Sequence, residues 1–297
     1  MGGFPIQLFR VRSRRATVQP LAAPGGSFRR PRAFCLPLLA PMMLLGVGLI
    51  LSAGASPARG EEGLTLAVAA SLQPVVQALN ELHAAAGHPP ATLVVAATGH
   101  LARQIRNGAP YHLFFAADED WLRQLAAEGA IVEASAVAFA TARLALVFPG
   151  LGSSAGQPPI GAEGLSLLTG DGVRFVAIAN PEFAPYGWAA RAALRNAGLW
   201  EALSNKLVFG ANIRQTLQYV ESGNADAGLV AESLVLGWER GWRPIDPGLH
   251  PPLRQTVGLV KGAPPAAERF VALLYSEPGR AALRRFGYVP LPGADRP

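Results

Sequence analysis

The chain has 297 residues and a formal net charge of +6, yet this charge comes from one end of the sequence. Residues 1–60 carry eight Arg, no Lys and no acidic residue, so 18 of the 26 basic residues remain to face 20 acidic ones over residues 61–297, a net charge of about −2. A nucleic-acid partner is therefore not expected, because such proteins present a basic surface. The only cysteine, Cys35, lies in the basic segment. The following residues can thus form no disulfide, and they are numerous enough to be stabilised by an apolar core alone.

Residues 1–60 have the composition of a secretory signal peptide. Arginines extend to Arg32, an apolar run follows over residues 33–51, and small residues then offer several cleavage sites. A membrane anchor is the alternative, since the run approaches the roughly 20 apolar residues that span a bilayer, but Pro37 and Pro41 interrupt it. We predict a cleaved signal peptide and a periplasmic protein. The cleavage site, the start codon and the export route (general secretory or twin-arginine) stay open.

Apolar runs and helical spacing alternate along the rest of the chain. The first half is predicted to contain strands 64–70, 92–97 and 113–117, followed in turn by helices 73–86, 101–107 and 118–129. The second half is predicted to contain strands 142–148, 173–178, 206–209, 227–230 and 253–261, and helices 186–197, 212–222, 265–276 and 277–286. Glycines are expected to end four of these helices, at Gly108, Gly129, Gly198 and Gly223.

This order predicts an α/β fold with two lobes joined by two crossing strands, 142–148 and 253–261, that act as a hinge. Two hinged lobes are typical of receptors that form a cleft and close on a small ligand. The assigned segments are residues 1–60 as leader, residues 63–142 with 258–297 as the first lobe, and residues 143–257 as the second lobe.

Two of the predicted strands end in a hydroxyl residue that leads into a helix. Ser71 follows the first strand and Thr98 follows the second. The first N–H groups of a helix have no partner within it and lie at the positive end of its dipole, so each corner is a site for an anion. An ordinary helix N-cap is the alternative use of Ser71 and Thr98. The pair together favours a receptor for a small oxyanion.

Short strings along residues 63–290 give a more specific indication. The chain resembles the periplasmic molybdate-binding proteins (ModA type) of ABC importers, whose fold is that of a two-lobed, type II-like periplasmic binding protein. The strings that carry the resemblance are AASL (69–72), LARQI (101–105), GAP (108–110), LFFAAD (113–118), ANPEFAPYG (179–187), AGLW (197–200), LVFG (207–210), GNADAG (223–228) and RFGY (285–288).

The resemblance implies uptake of molybdate, with tungstate as a second ligand of nearly equal radius. It also implies an inner-membrane ABC permease with its ATPase as partner, a monomeric receptor, no cofactor, no catalysis and no direct metal-cation ligand. The ligand set implied position by position consists of hydroxyls and amides from the first lobe at Ser71, Thr98 and Ala117, and of the Tyr186 phenol and the Ile213 amide from the second lobe.

The sequence departs from the family pattern at several positions. Ala231 stands where one branch of the family has a Tyr, so Tyr186 must supply the phenol, unless it is simply packed in the core. His112 replaces a common Asp, and His100 lies two residues after Thr98, where it adds a donor or faces solvent at the rim of the cleft. Arg103 and Trp188 are expected on the surface and in the core, respectively.

The sequence leaves alternatives to this function open. Ala231 and His100 leave open a receptor for another oxyanion or for a small anionic metabolite, and a ligand-sensing domain is a further alternative. No nucleophile elbow, phosphate-binding loop, dinucleotide-binding glycine motif or zinc-protease motif occurs in the sequence, and the five His have no tight metal spacing. His83 and His88 are expected to diverge. An enzyme is therefore not expected.

Overall fold

A computed structural model of the chain describes residues 63–151, 157–238 and 241–292. The predicted signal peptide lies outside these ranges. None of the helices within them is both long and apolar enough to cross a membrane.

The first lobe is built on a six-stranded mixed sheet in the order β11-β4-β10-β3-β1-β2. Strands β1, β2 and β3 are parallel to one another, whereas β4, β10 and β11 join by antiparallel pairing. Both faces of β1 and β3 are buried, as their continuous apolar runs predict. The strands are β1 (Thr65–Ala69), β2 (Thr92–Ala96), β3 (Leu113–Ala116), β4 (Val137–Ala142), β10 (Leu253–Leu259) and β11 (Val289–Pro290).

Helices cover both faces of this sheet. Two apolar clusters result: a small one that includes Leu101, Phe114 and Leu125, and a large one that extends through both lobes. The helix after β2 begins at Thr98, three residues earlier than predicted. The helices of this lobe are α1 (Gln73–Ala85), α2 (Thr98–Arg106), α3 (Asp120–Ala127), α8 (Ala266–Leu273) and α9 (Glu277–Arg285).

The second lobe has a five-stranded sheet in the order β7-β6-β8-β5-β9. Gly198 and Gly223 have positive φ angles of 72° and 75° directly after helices, as predicted. The strands are β5 (Leu144–Val147), β6 (Val176–Ala179), β7 (Leu207–Gly210), β8 (Ala227–Ala231) and β9 (Trp242–Pro244), and the helices are α4 (Ala162–Leu165), α5 (Pro185–Asn196), α6 (Trp200–Leu203) and α7 (Ile213–Glu221).

The chain crosses between the sheets at Arg143, which separates β4 from β5, and returns between β9 and β10. An ion pair lies at the first crossing: a guanidinium nitrogen of Arg143 is 2.5 Å from Glu232 Oε1, and the Glu232 side chain is buried. Burial raises the pKa of Glu232, and Arg143 opposes part of that rise. All of β10 pairs within the first sheet, so the assigned lobe boundary at 257/258 falls inside this strand. The division into lobes by residue number stays a prediction.

Candidate anion-binding site

One cavity is lined by all five residues of the expected ligand set. It is small, about 10 Å³ in volume, and lies where the carboxyl ends of β1, β2 and β3 face the starts of α5 and α7. Every lining residue is uncharged. The residues that line it are Ala69, Ala70, Ser71, Ala97, Thr98, Ala117, Ala184, Pro185, Tyr186 and Ile213.

Ser71 occupies the corner between β1 and α1 without capping the helix. The N-cap residue of α1 is Leu72, and no side chain accepts a hydrogen bond there. The Ser71 side chain is buried, with a relative exposure of 1%. Its Oγ has no hydrogen-bond partner among the described residues. Because Leu72 is the N-cap residue, the N-cap interpretation of Ser71 is wrong. A buried polar group without a partner costs about 1–3 kcal/mol, and the Ser71 hydroxyl stays available for a ligand.

The backbone of Ser71 is held by the end of the chain. The Tyr288 hydroxyl donates a hydrogen bond of 2.7 Å to the Ser71 carbonyl and lies 3.1 Å from the Ser233 Oγ of the second lobe. Tyr288 is buried, and burial raises the pKa of its phenol, which therefore stays a proton donor. Because its carbonyl is fixed in this way, the Ser71 backbone is held where the residue lines the cavity.

Thr98 is the first residue of α2, and the N-cap residue is Ala97, again without a side-chain cap. The N-cap interpretation of Thr98 is therefore wrong as well. Its Oγ1 accepts a hydrogen bond of 3.3 Å from the Ala117 amide, slightly longer than the usual 2.7–3.2 Å. Because this bond uses only the acceptor side of the hydroxyl, the Thr98 proton is free to be donated into the cavity. The Ala117 amide, expected as a ligand, has this weak partner already.

Side chains of strand β10 hold the backbone directly after β3, where Ala117 lies. Thr256 Oγ1 donates a hydrogen bond of 2.6 Å to the Asp118 carbonyl, and Gln255 Nε2 lies 3.5 Å from the Ala117 carbonyl. Burial, opposed by a hydrogen bond from the Trp121 amide, raises the pKa of Asp118 to about 6. Ala117 is thereby oriented by side chains about 140 positions away in sequence.

Asn212 caps α7 and leaves the first amide of the helix unused. Its Oδ1 accepts hydrogen bonds from the Arg214 and Gln215 amides at 3.0 and 3.1 Å. The amide of Ile213, the first residue of α7, is not among the donors to this cap. An N–H at this position points out of the helix at the positive end of its dipole.

Tyr186 enters the cavity from the start of α5. Its ring is buried, and its hydroxyl has no hydrogen-bond partner among the described residues. Burial raises the pKa of this phenol well above its usual value, with the nearby Ser71 hydroxyl opposing part of the rise, so the group is protonated and can donate. Gly187 allows this approach, because a Cβ there would lie 2.1 Å from the Ala179 carbonyl oxygen. Ala231 is buried at the end of β8 and does not line the cavity.

The other residues singled out from the sequence lie elsewhere. His112 accepts a hydrogen bond of 3.0 Å from the Thr65 amide at the far end of β1. Trp188 is 44% exposed, so its expected core position is wrong. His100 does more than face solvent at the rim of the cleft, because its ring packs on the ring of Phe183 in the second lobe. Arg103 contacts the same Phe183 ring.

The two histidines that were expected to diverge are in contact. The rings of His83 and His88 stack with centroids 4.6 Å apart. The reason is that α1 ends at Ala85, so His88 is not on the helix. In the part of the chain that the structure describes, no group of three or more His, Cys, Asp or Glu is placed to hold a metal ion.

The model of one protein family, "Bacterial extracellular solute-binding protein", matches residues 64–289. The chain belongs to this family. Its relatives include "Molybdate-binding protein ModA" of Azotobacter vinelandii, 35% identical with 83% of this chain and 96% of the relative covered, and the protein of the same name from Rhodobacter capsulatus, 32% identical with 84% and 95% covered. The solved structure of the "periplasmic molybdate-binding protein" of Azotobacter vinelandii matches with a TM-score of 0.69 and 28% identity, covering 77% of this chain and 99% of that one.

Within this solute-binding protein, sequence reasoning missed the residues that hold the site from outside. Tyr288, Gln255 and Thr256 contact the backbone of the corners and none of them lines the cavity. The string RFGY (285–288) was noticed only as part of the resemblance. A contact between residues 71 and 288 leaves no trace in local spacing, so the sequence alone carried no signal for it.

Proposed function

We propose that this protein is an exported periplasmic receptor that binds molybdate, and tungstate as a second ligand, in the cleft between its lobes. In this proposal it acts as a monomer without a cofactor or catalytic step, and it delivers the anion to an inner-membrane ABC permease driven by an ATPase. The observation that carries the proposal is a pair of buried hydroxyls, those of Ser71 and Tyr186, that have no hydrogen-bond partner in the part of the chain that the structure describes. Both face one small neutral cavity, from opposite lobes.

The size of the cavity supports a small ligand. A cavity volume of about 10 Å³ is close to the roughly 10–15 Å³ that one water molecule needs, whereas sites for larger organic ligands have about 300–1,000 Å³. The alternative of a small anionic metabolite is therefore less well supported than that of an inorganic anion.

The chemistry of the lining supports an anion that is fully deprotonated. The Ser71, Thr98 and Tyr186 hydroxyls can donate, and the helix starts at Thr98 and Ile213 present amides at positive dipole ends. Hydrogen bonds to an ionised acceptor are roughly twice as strong as neutral ones, so a ring of neutral donors can hold a dianion. Protonated phosphate would place its O–H against another donor and is rejected. Among deprotonated tetrahedral dianions, the names of the relatives favour molybdate over sulfate.

Isothermal titration with a panel of molybdate, tungstate, sulfate and phosphate tests the proposal. We expect tight binding of the first two, weak binding of sulfate and none of phosphate. Ser71→Ala should weaken binding of molybdate, and Ser204→Ala, which removes an exposed hydroxyl on the second lobe, is the matched control. Absence of binding to every anion, or a preference for sulfate, would overturn the ligand assignment. Unchanged binding in Ser71→Ala with binding intact in the parent would overturn only the site.

A further inference from the structure

Phe183 of the second lobe contacts the first turns of α2 in the first lobe. The Gly99 amide donates a hydrogen bond of 2.8 Å to the Phe183 carbonyl. The His100 ring packs on the Phe183 ring with centroids 4.5 Å apart, and the Arg103 guanidinium carbon lies 4.4 Å from the centroid of the same ring. These three contacts, called here the Phe183 clasp, join the two lobes beside the cavity, and Phe183 does not line the cavity itself.

We propose that the Phe183 clasp is the latch of the closed protein, and that it sets how long the bound anion is retained. This inference rests on the proposed function. In it Phe183, Gly99, His100 and Arg103 are positioning residues, because they act by holding the lobes together and touch no ligand.

The position of the clasp in the sequence links it to the ligand donors. Gly99 directly follows Thr98, and Phe183 precedes Tyr186 by three residues. The clasp therefore joins the two helix starts that bring hydroxyl donors to the anion from opposite lobes. Separation of Phe183 from α2 would withdraw Tyr186 from the Thr98 side of the cavity.

The loop that presents Phe183 is fixed within its own lobe. The Asn180 side-chain oxygen accepts a hydrogen bond of 2.9 Å from the Glu182 amide, and the Asn180 carbonyl accepts bonds from the Phe183 and Ala184 amides at 3.2 and 2.9 Å. The Asn180 amide in turn donates to the Gly210 carbonyl at the end of β7. Because this loop is fixed to its own lobe, the contacts between Phe183 and α2 hold the second lobe as a whole.

The fit between Gly99 and the Phe183 backbone is tight. A Cβ there would lie 3.0 Å from Phe183 Cα, 3.1 Å from the Phe183 carbonyl oxygen and 2.8 Å from a Trp121 ring carbon. Because the Phe183 atoms are backbone, they cannot move without moving the loop. Gly99→Ala is therefore expected to force the lobes apart while it removes no donor from the cavity.

The first test measures the kinetics of molybdate release by stopped-flow Trp fluorescence. Phe183→Ala removes the cation–π contact and the ring stacking together, so we expect it to raise the dissociation rate on the order of tenfold. The association rate should change by less than about threefold. Gly99→Ala should raise the dissociation rate at least as much. The matched controls are Phe209→Ala, which removes an exposed ring from the second lobe, and Gly172→Ala, whose added Cβ meets nothing within 4 Å.

The second test needs no ligand and separates this inference from the proposed function. Spin labels on Glu81→Cys in α1 and Glu201→Cys in α6, in a chain carrying Cys35→Ser, report the distance between the lobes. The parent should populate a short distance that is reduced in Phe183→Ala and Gly99→Ala. An unchanged dissociation rate in either variant, an unchanged distance distribution in both, or absence of the short distance from the parent would overturn the latch. Failure of the parent to bind any oxyanion would overturn the proposed function, and the distances would still decide the latch.

Discussion

Ser71→Ala should weaken ligand binding and at the same time make the ligand-free protein more stable. This combination is unusual, because substitution of a buried residue normally lowers the free energy of unfolding. Ser71 Oγ is buried without a partner among the described residues, and Ala keeps the Cβ and the backbone that Tyr288 holds. The substitution thus removes one unsatisfied oxygen and little else.

The magnitude follows from the burial of this hydroxyl. An unsatisfied buried polar group costs about 1–3 kcal/mol, and we take about 1 kcal/mol because an open cleft would return the hydroxyl to water. For a protein of this size, 1 kcal/mol shifts the Tm by roughly 2–4 °C. Loss of a hydrogen bond to a charged ligand costs about 1.5–3 kcal/mol, which corresponds to a Kd for molybdate about 10- to 150-fold higher.

The assay is thermal unfolding with and without molybdate, combined with titration calorimetry on the same samples. We expect the Tm of ligand-free Ser71→Ala to rise and the increase in Tm caused by saturating molybdate to shrink. Ser204→Ala should change neither value. A lower Tm of the ligand-free variant together with unchanged affinity would refute the reasoning, because Ser71 would then be a structural residue.

Three further substitutions test neighbouring groups. Thr98→Val should lower the ligand-free Tm by roughly 2–4 °C in unfolding scans, opposite in sign to Ser71→Ala, because the Ala117 amide loses its acceptor at a cost of about 1 kcal/mol; a raised Tm would contradict this. The pKa of Asp118 is about 6 when folded, against 3.8, so the folded protein binds more protons between these pH values and stability falls as pH rises through them. Asp118→Asn should therefore raise the free energy of unfolding by about 1–3 kcal/mol at pH 8 and leave it nearly unchanged at pH 3.5 in denaturant titrations; equal effects at both pH values would contradict this. Tyr288→Phe removes the 2.7 Å hydrogen bond to the Ser71 carbonyl and should cost about 1–3 kcal/mol in stability and also weaken molybdate binding; unchanged affinity would show that Tyr288 does not position the corner.

Much of the fold was predictable because the buried strands are continuous apolar runs. Strand β1 (Thr65–Ala69) and strand β8 (Ala227–Ala231) lie within a residue or two of their predicted bounds. The main error lies where the chain passes from one sheet to the other: a single strand was predicted over residues 142–148, whereas the structure has β4 (Val137–Ala142) and β5 (Leu144–Val147) on either side of Arg143. Strands β9 and β11 have only three and two residues, too few for periodicity to reveal.

The location of the candidate site could be predicted in part. Ser71 and Thr98 were recognisable because each follows an apolar run directly, and both line the cavity. Ala117 and Ile213 contribute through the backbone, so only the resemblance indicated them, and their role as ligands stays a prediction. The contact of His100 and Arg103 with Phe183 could not be predicted, because it joins residues about 80 positions apart in different lobes.

The surroundings of the cavity explain why its geometry matters more than its charge. No lining residue is cationic, so the cavity offers a dianion no counter-charge. Burial raises the pKa of two acids outside its lining, the half-buried Asp118 next to Ala117 and the buried Glu232 at the crossing. A dianion held there by dipoles alone depends on every donor being in place at once, since hydrogen bonds weaken steeply when their geometry is lost. Tyr288 holds the backbone of Ser71 in position, and the Phe183 clasp, in our proposal, holds Tyr186 against the first-lobe donors. Affinity in such a site therefore depends on residues that never touch the anion as well as on the donors themselves.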